Sequence, residues 1–189
     1  MNKLLITFTF LLLTSWSICY GQEFSKSSLK YATGIGASMG KNAEGLGLVF
    51  SVGYQREIWK DRLRLNPNMS FGYYSGKGIS DAPDVYFNSV SLQTNLYVDA
   101  VRFKAFSLVL GTGALVNNSR GLKGTGGDPG RSSSVYINDV HAGGYFGAGF
   151  RISPPGKRIA LELMPININT DTQDFLEANF RIGLDVKLN

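Results

Sequence analysis

Few residues in this 189-residue chain have an obvious chemical capacity. His141 is the single histidine, and Ser132, Ser133, Ser134 and Asp139 lie close to it in sequence. A histidine, a serine hydroxyl and a carboxylate can carry out acyl transfer or hydrolysis, the imidazole acting as base and the carboxylate orienting it. That chemistry requires all three within hydrogen-bond reach. The spacing does not provide it: His141 runs into Ala142, Gly143 and Gly144, and the serines read as loop or strand start. His141 is therefore expected as a polar residue at the rim of the fold, and no catalytic residue is assigned. One histidine and one cysteine leave no ligand set for zinc, so no metal site is expected. Gly34, Gly36 and Gly40 miss the G-x-G-x-x-G spacing. Gly124, Gly126, Gly127 and Gly130 precede no helix, whereas a phosphate cradle needs strand, loop and helix in succession. No cofactor is expected either.

The remaining chemistry is electrostatic. Glu57, Arg64, Asp99, Arg151, Glu162, Arg181, Asp185 and Lys187 each fall on the polar side of an alternating segment. Four cations against four anions are what an enclosed ion-pair network needs, because a buried charge must find a partner. An ion pathway would carry one dominant sign. A further set, Arg120, Lys123, Asp128 and Arg131, lies in a Gly- and Ser-rich stretch at 118–137, read as a long loop where a surface partner would touch.

The elements that position these residues have period two. Leu63, Leu65, Met69, Phe71 and Tyr73 oppose Arg64, Asn66, Asn68, Ser70 and Gly72; Phe180, Ile182, Leu184, Val186 and Leu188 oppose Asn179, Arg181, Gly183, Asp185 and Lys187. Alternation sustained this far marks a strand, and the length exceeds the roughly 5 to 6 residues of ordinary strands. It suits the roughly 9 to 11 residues of a membrane-crossing strand. The same test finds eight strands, at 30–40, 46–57, 62–74, 87–100, 105–117, 138–152, 158–168 and 176–188. Pro165 interrupts the seventh, where a bulge or strand end is expected. Connections at 58–61, 101–104 and 153–157 are short, while 75–86 and 118–137 are long, which is the asymmetry of outer-membrane barrels.

At the N-terminus, Lys3 and the apolar run Leu4 to Leu13 read as a signal peptide over residues 1–21, cut between Gly21 and Gln22. Residues 22–29 follow as a short lead-in, and 30–189 as the barrel. Cys19, the one cysteine, is removed with the leader, so the exported chain has no disulfide; Ile18 before it does not suit lipoprotein processing. Removing Lys3 lowers the net charge from +5 to +4, with no basic run to hold nucleic acid.

The apolar faces lack charge through the strand middles, while the opposite faces hold Gly, Ser, Asn, Gln and a few ions. Glycine and serine fill a narrow lumen well and coat a soluble surface poorly. The fold class is thus all-β: an eight-stranded antiparallel up-and-down transmembrane barrel, with the apolar side in lipid. A soluble lipocalin-like calyx, with the apolar side inward around an apolar ligand, is the contrary arrangement, and the Gly-x-Trp signature of lipocalins is absent before Trp59.

The leader, the eight alternating strands and the closing segment Phe180-Arg181-Ile182-Gly183-Leu184-Asp185-Val186-Lys187-Leu188 resemble the small outer-membrane β-barrel proteins of Gram-negative bacteria, the porin-like group with an outer-membrane β-barrel domain. The resemblance covers residues 30–189 and is one of pattern. The group closes on an aromatic residue, where this chain has Leu188 and Asn189. The resemblance implies an outer-membrane location, with outer-membrane lipid, the assembly machinery and an extracellular partner as contacts. It implies a structural, adhesive or binding role. Some barrels of this size modify lipid, so a lipid A acyltransferase or deacylase is the enzymatic alternative. Intact-mass analysis of the exported protein should give a chain starting at Gln22; a retained Met1 to Gly21 segment would show that the leader is not cleaved.

Overall fold

The computed structural model describes residues 27–59, 62–76, 85–124, 134–171 and 175–188. The leader lies outside the described residues. Eight strands follow one another: β1 (Ser27–Gly40), β2 (Gly45–Trp59), β3 (Leu63–Ser75), β4 (Tyr86–Phe103), β5 (Phe106–Gly124), β6 (Ser134–Ile152), β7 (Ile159–Asp171) and β8 (Phe175–Lys187). Each pairs antiparallel with its chain neighbours, and β1 pairs with β8 from Ser28↔Lys187 to Gly40↔Phe175, so the sheet closes on itself.

The apolar side of each ribbon faces out. Ile35, Leu92, Val140 and Phe103 are 64%, 63%, 63% and 70% exposed, whereas their neighbours Ser91, Asp99 and His141 are buried. Soluble monomers rarely expose more than a few hundred Å² of contiguous apolar surface. Here large apolar side chains ring the outside across all eight strands, the arrangement of a barrel solvated by hydrocarbon. The soluble calyx needed these side chains to converge on the axis, and they do not.

Both described termini and the connections β2–β3, β4–β5 and β6–β7 share one end, called here the turn end. The opposite, loop end carries the other four connections. At the turn end β4 and β5 are joined by two residues, Lys104 and Ala105, with Lys104 in the left-handed region at φ 52°. Strand β1 begins at Ser27, three residues before the expected start.

One expectation about the loop end is corrected. Residues 118–137 are not one long loop: β5 continues to Gly124 and β6 starts at Ser134, paired from Asn118↔Val140 to Gly124↔Ser134. Asn, Ser and Gly favour turns locally, but a cross-strand partner satisfies the same backbone groups, and tertiary pairing overrides propensity. Strands β5 and β6 therefore reach 19 residues each and run on together at the loop end, beyond the last β6–β7 pair Gly143↔Asp171. Strand β4 reaches 18 residues by extending past Leu63↔Val98 at the turn end, while its loop end is level with β3 at Ser75↔Tyr86.

At Pro165 the register shifts between Met164 and Asn167 on the β8 side, and between Ala148 and Phe150 on β6. Proline has no N–H for the ladder, so the chain bulges there. Pro165 and Ile166 both face out, and Asn167 and Asn169 then point inward, which settles the phase of the last part of β7.

Glycine in the lumen makes room for large side chains from across it. A Cβ on Gly111 would stand 2.7 Å from the Tyr97 ring and 3.2 Å from that of Tyr145. Gly111→Val should lower stability by about 1–3 kcal/mol through overpacking, read as a lower urea midpoint of the barrel in lipid. Ala114→Val, on the outward face of the same strand, should leave the midpoint unchanged within about 0.5 kcal/mol.

Candidate functional site: the lumen

An eight-stranded barrel is just wide enough for its own side chains to fill, and the inward residues do so in layers. Nearest the turn end is a charged layer. The Arg64 guanidinium meets Asp99 Oδ1 at 2.6 Å and Glu162 Oε1 at 3.2 Å, with Asp185 Oδ2 at 3.9 Å. Arg151 Nη2 lies 2.9 Å from Asp185 Oδ2, and Arg102 Nη2 lies 2.9 Å from Asp99 Oδ2. Lys30 pairs with Glu162. Gln55 ties the cluster together, donating from Nε2 to Asp185 Oδ2 at 3.0 Å and accepting from Arg64 Nη1 at 3.2 Å. Seven strands contribute, so the network spans the barrel.

These groups are almost wholly shielded, with Glu162 and Asp185 at 0% and Arg64 at 3% exposure. Lys30, Arg64, Arg102 and Arg151 face three carboxylates, Asp99, Glu162 and Asp185. The excess cation lies against an aromatic face: Lys30 Nζ is 4.2 Å from the centroid of the Tyr97 ring. Such a contact is worth about 2 kcal/mol when desolvated.

The next layer is aromatic. Tyr97, Val109, Leu115, Tyr145 and Met164 form one buried cluster. Tyr97 and Tyr145 meet edge to face at 6.1 Å, and the Tyr145 hydroxyl donates to Asn167 Oδ1 at 2.8 Å. Above it lies a polar layer in which Ser89 and Ser91 both donate to Asn117 Oδ1 at 2.7 Å, while Asn117 Nδ2 donates to Ser119 Oγ at 2.9 Å. Arg181 sits at this height, 3.8 Å from Glu177. At the loop end Val49, Tyr74, Phe87 and Ile137 form an apolar cover, with Tyr74 stacked on Phe87 at 5.0 Å. One small cavity remains beside Lys30, Tyr97, Glu162 and Arg181, about 20 Å³ in volume, roughly the space of a single water.

Of the eight charges read from the sequence, Arg64, Asp99, Arg151, Glu162 and Asp185 come together in the charged layer. Arg181 is a layer above, with Glu177. Glu57 stands opposite Arg64 in register, half-buried at the turn end, and Lys187 is half-buried at the end of β8. Lys30, Gln55 and Arg102 were missed. The signal for Lys30 was available, since Lys30, Ala32, Gly34, Gly36 and Ser38 continue one face of β1. Arg102 carried no such signal: the β4–β5 register shifts between Asp99 and Val101, which breaks the alternation just before it.

His141 is not at the rim. It faces the lumen at 2% exposure, with Nδ1 3.0 Å from Asp171 Oδ2 and its ring stacked on Phe175 at 5.6 Å. Asp171 Oδ1 in turn accepts the Phe175 N–H at 2.9 Å. The carboxylate partner thus comes from β7 and not from Asp139, which the alternation of β6 also turns toward the lumen. Ser134 is the first residue of β6; Ser132 and Ser133 lie outside the described residues. The serines nearest in register, Ser89, Ser91 and Ser119, are engaged with Asn117. Among the described residues no serine hydroxyl is hydrogen-bonded to His141.

The candidate surface contacts are also relocated. Arg120 lies on the outward face of β5, its Nε donating to the hydroxyl of Tyr136 on β6, and Lys123 is half-buried near the end of β5. Asp128 and Arg131 lie outside the described residues.

No protein-family model matches the chain, and no curated protein matches it in sequence. Solved structures do match in fold. The crystal structure of Neisserial surface protein A aligns with a TM-score of 0.66 at 14% identity, over 87% of this chain and 98% of that one. Ail, the attachment invasion locus protein of Yersinia pestis, aligns at 0.53 and 15%, over 86% and 98%. The outer membrane enzyme PagL aligns at 0.52 and 10%, over 84% and 99%. The architecture is that of eight-stranded outer-membrane barrels.

Removing the Glu162 carboxylate from the charged layer should leave Lys30 buried without its counter-ion and Arg64 with Asp99 and Asp185 only. Glu162→Gln is expected to destabilise the barrel by about 3–5 kcal/mol, measured by denaturant unfolding in lipid. Glu57→Gln, at the half-buried edge, should cost about 1 kcal/mol or less.

Proposed function

We propose that this chain is an integral outer-membrane protein whose filled barrel is an anchor and whose raised β5–β6 hairpin arms make contacts outside the cell, in a structural, adhesive or binding role. The turn end, with its short connections, faces the periplasm, and the loop end faces outward. The observation that carries this reading is the lumen: a charged layer, an aromatic layer and an apolar cover stand in series. A solute would have to break paired charges and displace Tyr97, Tyr145, Tyr74 and Phe87 to pass. Outer-membrane lipid surrounds the apolar belt, and the assembly machinery is the partner during insertion.

The likeness to the enzyme PagL keeps a lipid-modifying activity as the second reading, and the pairing of His141 with Asp171 is the one feature that favours it. Its location argues against that activity. An acyl chain in the membrane lies outside the barrel wall, whereas His141 points inside it, and no described serine is hydrogen-bonded to it.

Two measurements test the proposal. In planar bilayers the purified protein should give no steady conductance, and a sustained ohmic current would overturn the filled-barrel anchor. Cells carrying His141→Ala should have the same lipid A acylation pattern as wild type by mass spectrometry; loss of an acylation change in the variant would establish the enzyme instead.

A further inference from the structure

Among the described residues, the upper part of β6 has a partner on one side only. On one side β6 pairs with β5 along its whole length, from Phe106↔Ile152 to Gly124↔Ser134, with no register shift. On the other it meets β7 only as far as Gly143↔Asp171. The hydrogen-bond phase follows from one contact below the ladder, where Ser153 N–H donates to the Ala105 carbonyl at 2.7 Å. In an unshifted antiparallel register alternate residues share this role. Ile137, Asp139 and His141, facing inward, therefore bond to β5. Ser134, Tyr136, Asn138 and Val140, facing outward, turn their N–H and C=O groups toward the β7 side, where no described residue pairs with them.

This edge carries none of the devices that usually blunt one. Residues 134–140 contain no Lys, no Pro and no bulge, and their single charge, Asp139, lies on the inward phase. Val135, Tyr136 and Val140 are 53%, 54% and 63% exposed. The edge also stands above the hydrocarbon. Asn118 bonds to Asn138, and Arg120 to Tyr136, on the outward face, and unpaired backbone inside hydrocarbon would cost several kcal/mol per group.

We propose that residues 134–140 are a docking edge to which an extended polypeptide segment of an extracellular partner adds as an extra strand. Main-chain groups supply the affinity, so recognition tolerates many sequences without proline. Side chains at alternate positions lie beside Tyr136, Asn138 and Val140, which favours apolar or β-branched residues there. A second copy in the same membrane does not fit. Two copies are related by an axis along the membrane normal, and strands tilted roughly 35–45° would cross at about twice that angle. The inference rests on the proposed orientation with the loop end outside.

The test uses the mature chain refolded in phospholipid nanodiscs. The probe is a synthetic peptide with the sequence of residues 115–124, the segment whose side chains match β6 on its other side. Without peptide, the amides of Tyr136, Asn138 and Val140 should exchange fast and those of Ile137 and Asp139 slowly. Peptide should slow the first three at least tenfold. Asn138→Pro removes an N–H that β5 does not use, so the variant should keep its folded, heat-modifiable gel mobility while binding the peptide at least tenfold more weakly. Protection of the three amides before peptide is added, absence of peptide binding, or equal binding by Asn138→Pro would each overturn the docking edge. Ser134→Cys on intact cells separates the two levels of the argument. Failure to react with a membrane-impermeant maleimide refutes the orientation, whereas labelling without peptide protection refutes only the edge.

Discussion

A strand that crosses hydrocarbon can place its backbone N–H and C=O groups only on another strand, and that requirement organises this molecule. It forces the pairing of β1 with β8 that closes the sheet, because an open edge at membrane depth would leave a row of unsatisfied groups. Closure with eight strands in turn sets a bore so narrow that inward side chains must fill it. The bulge at Pro165 is tolerated because it falls where neighbouring strands can shift register around the missing N–H.

The filling is built under the opposite rule from a soluble core. Apolar side chains have hydrocarbon available outside, so the inside receives the groups lipid would reject. Charges there are costly unless paired, and the charged layer meets that cost by making each carboxylate serve two or more cations. Glu162 holds Lys30 and Arg64, Asp99 holds Arg64 and Arg102, and Asp185 meets Arg151 and, at 3.9 Å, Arg64. Because the partners come from β1 to β4 and β6 to β8, the network also fixes how strands distant in sequence face one another.

Above the membrane the closure rule relaxes, and there the barrel departs from symmetry. Strands β5 and β6 run on while β7 and β8 stop near Asp171 and Phe175. His141, Asp171 and Phe175 mark that height, joining β6, β7 and β8 where their pairing ends. Beyond it, β6 keeps one strand partner, β5, among the described residues.

By itself the sequence determined the number of strands, their antiparallel meander, and the outward sense of the apolar faces. These follow from local alternation, which needs no knowledge of neighbours: Arg64, Asp99 and Arg181 declare their side by the apolar residues beside them. Only the tertiary structure decided which charges meet, that Lys30 and Arg102 join them, that Arg181 stands apart with Glu177, and that Asp171 and not Asp139 pairs with His141. It also decided that Asn118 to Gly124 form a strand, since turn-favouring residues accept an extended state once a partner supplies the hydrogen bonds. The physical reason is that alternation encodes the face a residue occupies. Height and opposition across the barrel are set by register and shear, which exist only once the eight strands have closed.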